Sequence, residues 1–341
     1  MHKPRIFIIS KNFHTAMGGA ERSMIEILRK KNFKKIFFKF SNSIIYNKVN
    51  EIPKEWGYIK IKLIKIPKYF FYADFFFNLF LLLKIKKYIK RNDIIYCNGN
   101  YAPIHSFIEC KKKIISIRSE GELGIYNNFY SVFSISYYLK FALQIFNFPL
   151  KFMWLKFLLK NLNNVTFEFN SQYLIKEFKK KKLKNLKILY SEPIINMSVK
   201  KMYNKIKNKI PLRRKGIVMF GDNIYKGSNI FKKIAKKIPY EKFFLYDGKY
   251  KKKLRKNNIH FMPWQNHINQ YKFAKIVLVP SLCGEAFSRT AKECQILKIK
   301  LLVSDHAGLK YSVKNKNMRI ANFKSPEDWV RKINKLNNQR L

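Results

Sequence analysis

Short apolar runs alternate with amphipathic segments along the chain, and this alternation predicts the fold class. The first half contains six such runs, at residues 5–10, 35–40, 59–66, 93–97, 113–117 and 164–169. Continuous apolar runs with polar flanks are typical of buried parallel strands. A glycine pair and an amphipathic helix over 20–30 follow the first run, so the chain opens with a strand, a turn and a helix. Ser171 is placed to cap a further helix that begins at Gln172.

The second half repeats the alternation after a basic stretch at 200–214, which we interpret as a linker between domains. Its predicted strands lie at 216–220, 242–246, 258–262, 275–279 and 300–303, and its predicted helices lie at 229–237 and 289–297. Ser325 and Pro326 indicate the start of a last helix. We therefore predict an N-terminal acceptor-side domain over 1–199, a C-terminal nucleotide-sugar-binding domain over 215–324, and a helix over 325–341 that packs back on the first domain.

Strands and helices that alternate in both halves predict an α/β protein with two Rossmann-like domains facing each other across a cleft. The length of 341 residues fits two domains of about 150 residues each. Ligands of open parallel sheets bind at the carboxyl ends of the strands, so we expect the site in the cleft.

The net charge of +51 favours anionic partners, namely nucleic acid, an anionic membrane surface or phosphorylated substrates. An AT-rich coding sequence also yields abundant Lys, Asn, Ile, Phe and Tyr, so compositional bias remains an alternative explanation of the charge. A basic nucleic-acid-binding protein is a second reading. However, the sequence contains no nucleic-acid-binding motif, and we expect no specific nucleic acid as a partner.

Cysteine spacing and hydropathy bear on location. The four cysteines show neither CxxC spacing nor a Cys/His cluster of zinc-ligand spacing, which favours a reduced, cytoplasmic setting and no metal. No segment reaches about 18 uninterrupted apolar residues, so we predict no membrane span. The aromatic-rich segments 69–83 and 129–159 are either buried helices or helices that lie in a membrane interface. We favour burial for the former and the interface for the latter. The protein would then be peripheral on the inner face of the cell membrane.

Two carboxylates, Glu285 and Glu293, flank a predicted helix start. If the whole span were helical, eight residues would cover roughly 12 Å, comparable to the distance between the sugar and the ribose of a nucleotide sugar. The backbone N–H groups of Phe287, Ser288 and Arg289 would point out of the helix N-terminus, where a diphosphate binds well. Two ordinary surface acids remain the alternative from these residues alone.

The segment from Ser281 to Gly308, with two Glu flanking seven residues, resembles the donor-site signature of family 4 of the GT-B glycosyltransferases. Asp222-Asn-Ile-Tyr-Lys-Gly227 resembles the phosphate-binding Lys-Gly element of that family, and Gly18-Gly-Ala-Glu-Arg22 resembles its N-terminal glycine loop. The three motifs lie in family order and in the expected halves.

The resemblance implies a retaining hexosyltransferase without a metal or other cofactor. Glu293 would bind ribose, Glu285 the transferred sugar near its reacting carbon, and Lys226 the leaving diphosphate in place of a divalent ion. Residues that would contact substrate include Gly18, Gly19, Ala286, Phe287, Ser288 and Arg289. The donor would be a nucleotide-diphosphate sugar. The acceptor would be a glycan or a lipid-linked glycan of surface polysaccharide or lipopolysaccharide biosynthesis.

Several residues depart from the family pattern. Asp222 stands where an Arg is usual, and Arg289 or a nearby Lys is the substitute cation that we consider. Ser288 replaces a usual Gly. A usual His is absent after the strand at 113–117, so Arg118 or Glu120 is expected on the acceptor side, and His14 either contacts the acceptor or lies in surface loop. These departures leave open a nucleotide-sugar-binding relative that has lost turnover.

Overall fold

The structure is a computed structural model that divides into two compact units. The residues it describes are 4–10, 19–40, 52–62, 73–98, 107–119, 164–180, 187–193, 199, 201, 203–204, 215–264, 270–271 and 273–338. The first unit comprises Met1–Tyr126 and Phe133–Ile194, and the second comprises Asn127–Val132 and Ile195–Leu341.

The first unit is built on a parallel sheet of seven strands in the order β3-β2-β1-β4-β5-β6-β7. Its strands are β1 (Arg5–Ile9), β2 (Lys34–Phe40), β3 (Gly57–Ile61), β4 (Ile94–Asn98), β5 (Lys112–Ile117), β6 (Val165–Phe169) and β7 (Lys187–Tyr190). Its described helices are α1 (Gly19–Arg29), α2 (Ala73–Ile85), the 3₁₀ turn Lys86–Tyr88 and α3 (Gln172–Lys179). The strand order runs outward from β1, to β2 and β3 on one side and to β4 and its successors on the other, which is the order of a Rossmann-like fold.

Alternate residues of the central strands form the core of the first unit. Ile8 of β1 and Tyr96 of β4 pack with Met24 and Leu28 of α1. Ser171 caps α3 as predicted, since its hydroxyl accepts a hydrogen bond from the Leu174 N–H at 3.1 Å.

Helix α2 covers residues 73–83 of the aromatic-rich segment 69–83, and residues 69–72 lie outside the described residues. Leu81 and Leu82 are buried, as the buried-helix reading expects, whereas Leu83 is exposed. Segment 129–159 lies outside the described residues. Within the part of the chain that is described, no helix has the length and apolar character needed to cross a membrane.

The second unit has a seven-stranded sheet in the order β10-β11-β9-β8-β12-β13-β14, parallel except for the edge pair β10–β11. Its strands are β8 (Gly216–Phe220), β9 (Phe243–Asp247), β10 (Leu254–Lys256), β11 (Ile259–Pro263), β12 (Ala274–Val279), β13 (Lys300–Ser304) and β14 (Arg319–Ile320). Its helical elements are the 3₁₀ turn Ile224–Lys226, α4 (Ser228–Lys237), α5 (Arg289–Ile296), α6 (Leu309–Ser312), the 3₁₀ turn Lys316–Met318 and α7 (Pro326–Asn338).

Both faces of this sheet are covered. Phe231 of α4 and Trp329 of α7 are fully buried on one face, and Ala291 and Cys294 of α5 are fully buried on the other. Buried apolar runs on both faces explain why the strands read as continuous hydrophobic segments.

The last helix packs as a core element of the second unit. Trp329 and Ile333 have no solvent exposure, and the Trp329 indole donates a hydrogen bond to the Phe323 carbonyl at 2.9 Å. Its buried apolar side chains thus belong to a core of the second unit, and the expectation that the helix also packs back on the first domain stays a prediction. Val199, predicted as the end of the first domain, likewise lies in the second unit's core, and Tyr203 packs against the same core.

Candidate functional site

Two glycines place Lys226 at the carboxyl edge of the second sheet. After β8 the chain turns at Gly221 with φ +91, passes through the 3₁₀ turn Ile224–Lys226, and reaches Gly227 with φ +81. A Cβ on Gly227 would lie 1.8 Å from the carbonyl oxygen of Pro280, directly after β12. Only glycine fits there, so the Lys-Gly pair is held against the end of the neighbouring strand.

The loop after β12 is tied to the same turn and brings Glu285 to Lys226. The N–H groups of Leu282 and Cys283 donate to the Tyr225 carbonyl at 2.9 and 3.2 Å. Lys226 Nζ lies 2.6 Å from Glu285 Oε1, and the lysine side chain is 47% exposed while the carboxylate is 9% exposed. Burial alone would lower the pKa of Lys226, but the charge of Glu285 and its hydrogen bond outweigh it and raise the pKa. The ammonium therefore stays charged.

The turn after β13 holds both ends of this loop. The Gly308 N–H donates to the Glu285 carbonyl at 2.8 Å, and His306 Nε2 lies 2.7 Å from the Ser281 carbonyl. A Cβ on Gly308 would lie 1.9 Å from the Ala286 carbonyl oxygen, so this close approach requires glycine. The loop that carries Glu285 is thus pinned at its start and at its end.

The imidazole of His306 is itself fixed. It stacks on Phe323 with ring centroids 4.5 Å apart, and because a carbonyl can only accept, Nε2 must carry the proton. Burial lowers the pKa of His306, which favours the neutral ring at neutral pH.

The start of α5 is capped from within the protein. Ser288 accepts from the Ala291 N–H at 3.2 Å, and its own N–H donates to the Ser312 hydroxyl at 3.1 Å. The Ser288 N–H is thus bonded within the protein in this structure, and its contact with a diphosphate stays a prediction. Phe287 and Arg289 lie on either side of the cap, as expected, and their contact with a diphosphate stays a prediction.

Glu293 is placed differently from Glu285. It is 1% exposed, its Oε2 accepts from the Tyr271 hydroxyl at 2.7 Å, and its Oε1 lies 3.9 Å from Arg289 Nε. Tyr271 in turn packs edge-on against Phe220, with centroids 5.0 Å apart. The described geometry brings Lys226 and Glu285 together, while Glu293 lies in a buried contact with Tyr271; its role toward ribose stays a prediction.

Asp222, the residue that departs from the family pattern, is surrounded by donors. Its carboxylate is bound by Lys232 Nζ at 2.9 Å, by Lys249 Nζ at 2.7 Å and by the Tyr250 hydroxyl. Burial alone would raise the pKa of Asp222, but these bonds and one from Ser228 hold it well below the ordinary value. A charged acid with two lysines therefore occupies the turn after β8.

In the first unit, Arg118 lies in a buried polar cluster. Its guanidinium contacts the Glu168 carboxylate at 2.8 Å and the Ser116 hydroxyl at 2.6 Å, and Glu168 also accepts from the Tyr96 hydroxyl at 2.5 Å. Lys31 Nζ lies 3.9 Å from the same carboxylate. Arg118 was expected on the acceptor side; here its charge is matched inside the sheet, because Glu168 would otherwise be a buried unpaired charge.

Three further predicted residues, His14, Gly18 and Glu120, lie outside the described residues. Gly19 begins α1, as a glycine loop followed by a helix requires. Their contacts with substrate stay predictions.

Sequence reasoning missed four residues that shape the site. Lys249 and Tyr250 follow the Asp247-Gly248 turn after β9, and a position after a strand was the available signal. His306 was quoted within the donor segment without a role. Tyr271 carried no local signal, because only the fold brings it to Glu293.

Within the described residues, no group of three or more His, Cys, Asp or Glu side chains is arranged to hold a metal ion. The expectation that the chain needs no metal remains a prediction.

Comparisons with known proteins identify the fold. No protein-family model matches the sequence, and no curated protein matches it. Among solved structures, sucrose-phosphate synthase from Thermosynechococcus elongatus aligns with TM-score 0.68 and 15% identity over 98% of this chain and 90% of that one. A glycosyltransferase from Rickettsia africae aligns with TM-score 0.60 and 15% identity over 98% and 88%. Anabaena HepE in complex with UDP and glucose aligns with TM-score 0.63 and 13% identity over 99% and 90%. The chain has the GT-B fold of these structures.

Proposed function

We propose that this protein is a glycosyltransferase that moves a hexose, with retention, from a nucleotide-diphosphate sugar to a glycan or lipid-linked acceptor. The observation that carries the proposal is the pair of Lys226 and Glu285. A half-exposed ammonium and a nearly buried carboxylate are held 2.6 Å apart at the carboxyl edge of adjacent strands, by loops that approach closely at Gly227 and Gly308, where no side chain fits. Such rigid placement of opposite charges is what a site needs to stabilise charge that develops during group transfer.

In the proposed reaction, the bond between C1 of the sugar and the diphosphate oxygen breaks. A bond from an acceptor oxygen to C1 forms on the same face, and the acceptor proton passes to the leaving diphosphate. Lys226 stabilises the charge that gathers on the diphosphate, and Glu285 orients sugar hydroxyls beside C1. Glu293 serves the ribose once the contact with Tyr271 is exchanged for ribose hydroxyls.

Donor binding is the first test. UDP-, GDP- and ADP-glucose are each added to the purified full chain, and the thermal midpoint and the release of nucleoside diphosphate are followed. UDP-glucose is tried first, because HepE is described in complex with UDP-glucose. We expect the nucleotide sugar with the preferred base to raise the midpoint of thermal unfolding by several degrees. A well-folded preparation that responds to none of the three contradicts the proposal.

Glu285→Gln tests the role of the pair, and Glu327→Gln is the matched control. Glu327 also pairs with a lysine, Lys237 at 2.8 Å, but on an exposed helix surface. We expect Glu285→Gln to lower turnover about 100-fold or more, since one positioned group typically contributes that much. Glu327→Gln is expected to leave turnover unchanged. Equal turnover in both variants would remove Glu285 from the mechanism.

The same preparation separates a transferase from a relative that has lost turnover. Asp222 at the turn after β8 is the observation that favours this second candidate, because an acid stands where the resembled family has a cation that would stabilise the leaving diphosphate. A nucleotide sugar that binds, yet is neither transferred nor hydrolysed with any glycan or lipid-linked acceptor tried, supports the second candidate.

We also propose that the protein acts at the inner face of the cell membrane, in surface polysaccharide or lipopolysaccharide synthesis. The net charge of +51 supports attraction to anionic lipid, at up to about 1 kcal/mol for each cation near the surface. Flotation with anionic and with neutral vesicles at low salt tests this. Protein that remains at the bottom with anionic vesicles contradicts it.

A further inference from the structure

A second lysine, Lys249, reaches the same turn as Lys226 from the neighbouring strand. A Cβ on Gly221 would lie 3.9 Å from Lys226 Cγ, and Lys249 Nζ lies 3.1 Å from the backbone oxygen of Asp222. The two side chains therefore approach adjacent residues of one turn, Lys226 from the loop after β8 and Lys249 from the loop after β9.

Lys249 repeats the arrangement of Lys226. Its side chain is 54% exposed and its carboxylate partner Asp222 is 6% exposed, against 47% and 9% for Lys226 and Glu285. An ammonium has three N–H donors, and Lys249 uses two on the carboxylate and the backbone oxygen of Asp222. Each half-exposed ammonium thus has a donor for an oxyanion that arrives from solvent, while the acid that holds it is buried beneath.

Asp222 and Lys249 are locked together by a third residue. The Asp247 carboxylate accepts from the N–H of Asp222 at 2.7 Å and from the N–H of Lys249 at 2.8 Å. Lys232, Tyr250 and Ser228 also donate hydrogen bonds to the Asp222 carboxylate. The ends of β8 and β9 are therefore tied, and the position of the Lys249 ammonium is fixed before any ligand binds.

We propose that Lys249, positioned by Asp222, is the second cation that binds the donor diphosphate, and that it makes the site select nucleoside diphosphates over monophosphates. The inference rests on the proposed function. It names the residue that takes over from the usual Arg of the resembled family, whose position is occupied here by Asp222. Arg289 is the alternative from sequence, but its guanidinium lies beside Glu293, with only 16% of the side chain exposed. A diphosphate offers a second anionic group for Lys249, and a monophosphate does not.

Calorimetric titration of the full chain with UDP and UMP, GDP and GMP, or ADP and AMP tests the proposal. The variant Lys249→Met removes the charge and keeps an unbranched side chain that is one atom shorter, and Lys251→Met makes the same change at an exposed position two residues away. We expect Lys249→Met to weaken diphosphate binding about tenfold and monophosphate binding about twofold or less. Lys251→Met should change both by less than about twofold, in parallel.

The variant Asp222→Asn shows whether Asp222 positions Lys249 or only repels the ligand, because the two roles predict opposite changes in diphosphate affinity. If Asp222 positions Lys249, its neutral variant binds the diphosphate more weakly, although a negative charge has been removed. If Asp222 acts only as a charge that repels the ligand, the variant binds the diphosphate more tightly. The thermal midpoint of the free variant shows whether it is folded, and Lys249→Met supports or contradicts the inference whether or not Asp222→Asn folds.

The outcomes also separate this inference from the proposed function. Wild-type protein that binds none of the six nucleotides overturns both. Wild-type protein that binds a diphosphate, loses that binding in Lys226→Met and keeps it in Lys249→Met overturns the inference alone. An equal loss of diphosphate and monophosphate affinity in Lys249→Met overturns the selectivity.

Discussion

Both units place a cation beside a carboxylate near the carboxyl ends of their strands, yet the solvent exposure of the cation differs between the two units. In the first unit, the side chains of Arg118 and Glu168 are 3% and 0% exposed. In the second unit, Lys226 is 47% exposed above a Glu285 that is 9% exposed. When both members of an ion pair are buried, each charge is matched within the protein. A half-exposed cation beside a buried acid is held in place and is still accessible to a ligand.

The difference in exposure distinguishes structural from ligand-binding charged residues at strand ends. Both arrangements follow a parallel strand, and both combine opposite charges, so sequence position alone does not distinguish them. Exposure does, because a buried ion pair loses its solvation and must be complete within the protein. We therefore expect the first cluster to stabilise the fold and the second to bind a ligand, and the following predictions test that division.

The largest effect is expected for Glu168→Gln. Removing one partner leaves Arg118 and Lys31 without their buried counter-charge, which should lower the free energy of unfolding by about 3–5 kcal/mol. Urea denaturation of the full chain measures this. The control is Glu109→Gln, whose partner Arg91 is 87% exposed, and it should cost about 0.5 kcal/mol or less. A cost below about 1 kcal/mol for Glu168→Gln would contradict the division between the two clusters.

An intermediate effect is expected for Gly308→Ala in the second unit. The new Cβ would meet the carbonyl oxygens of Ala286 and Glu285 at 1.9 and 2.3 Å, so the donor loop must move. Overpacking of this kind costs about 1–3 kcal/mol of stability, and we expect diphosphate binding to fall with it. Gly57→Ala in the first unit is the control, because a Cβ there makes only ordinary contacts, at 3.7 and 3.8 Å. Unchanged diphosphate affinity in Gly308→Ala would show that the loop position does not matter.

Most of the fold was predictable from sequence, because buried parallel strands give continuous apolar runs. The strand predicted at 216–220 is confirmed as β8, and the run at 113–117 is confirmed within β5. Strands β7, β10 and β14 were missed. They lie at sheet edges, and β10 consists of Leu254–Lys256 with every residue exposed, so no buried face imposes a pattern on its sequence.

The candidate site was predictable only in part, for a physical reason. Glu285 and Lys226 carried a signal because each lies in a segment that resembles a family motif, and Lys226 also precedes Gly227, where the backbone admits no side chain. The partners of Asp222 and Glu293 carried none, since Lys249 and Tyr271 come from other strands and loops and meet them only in the folded chain. Arg118 or Glu120 was expected on the acceptor side because a usual His is absent there, and the contact of Arg118 with Glu168 carried no local signal, since Glu168 lies 50 residues away.

The smallest effect on stability is expected for the serines that cap a helix in each unit. Because both units have such a serine, the same substitution can be compared directly between them. Ser171 accepts from the Leu174 N–H at 3.1 Å in the first unit, and Ser288 accepts from the Ala291 N–H at 3.2 Å in the second. Replacing either serine by alanine should cost about 1 kcal/mol in urea denaturation. Only Ser288 begins the helix beside the donor loop, so only Ser288→Ala should weaken diphosphate binding in calorimetry. If Ser171→Ala weakens diphosphate binding equally, the diphosphate affinity follows the overall stability of the protein. The proposed contrast, between a first-unit cluster whose charges are paired within the protein and a second-unit site that binds a ligand, then fails.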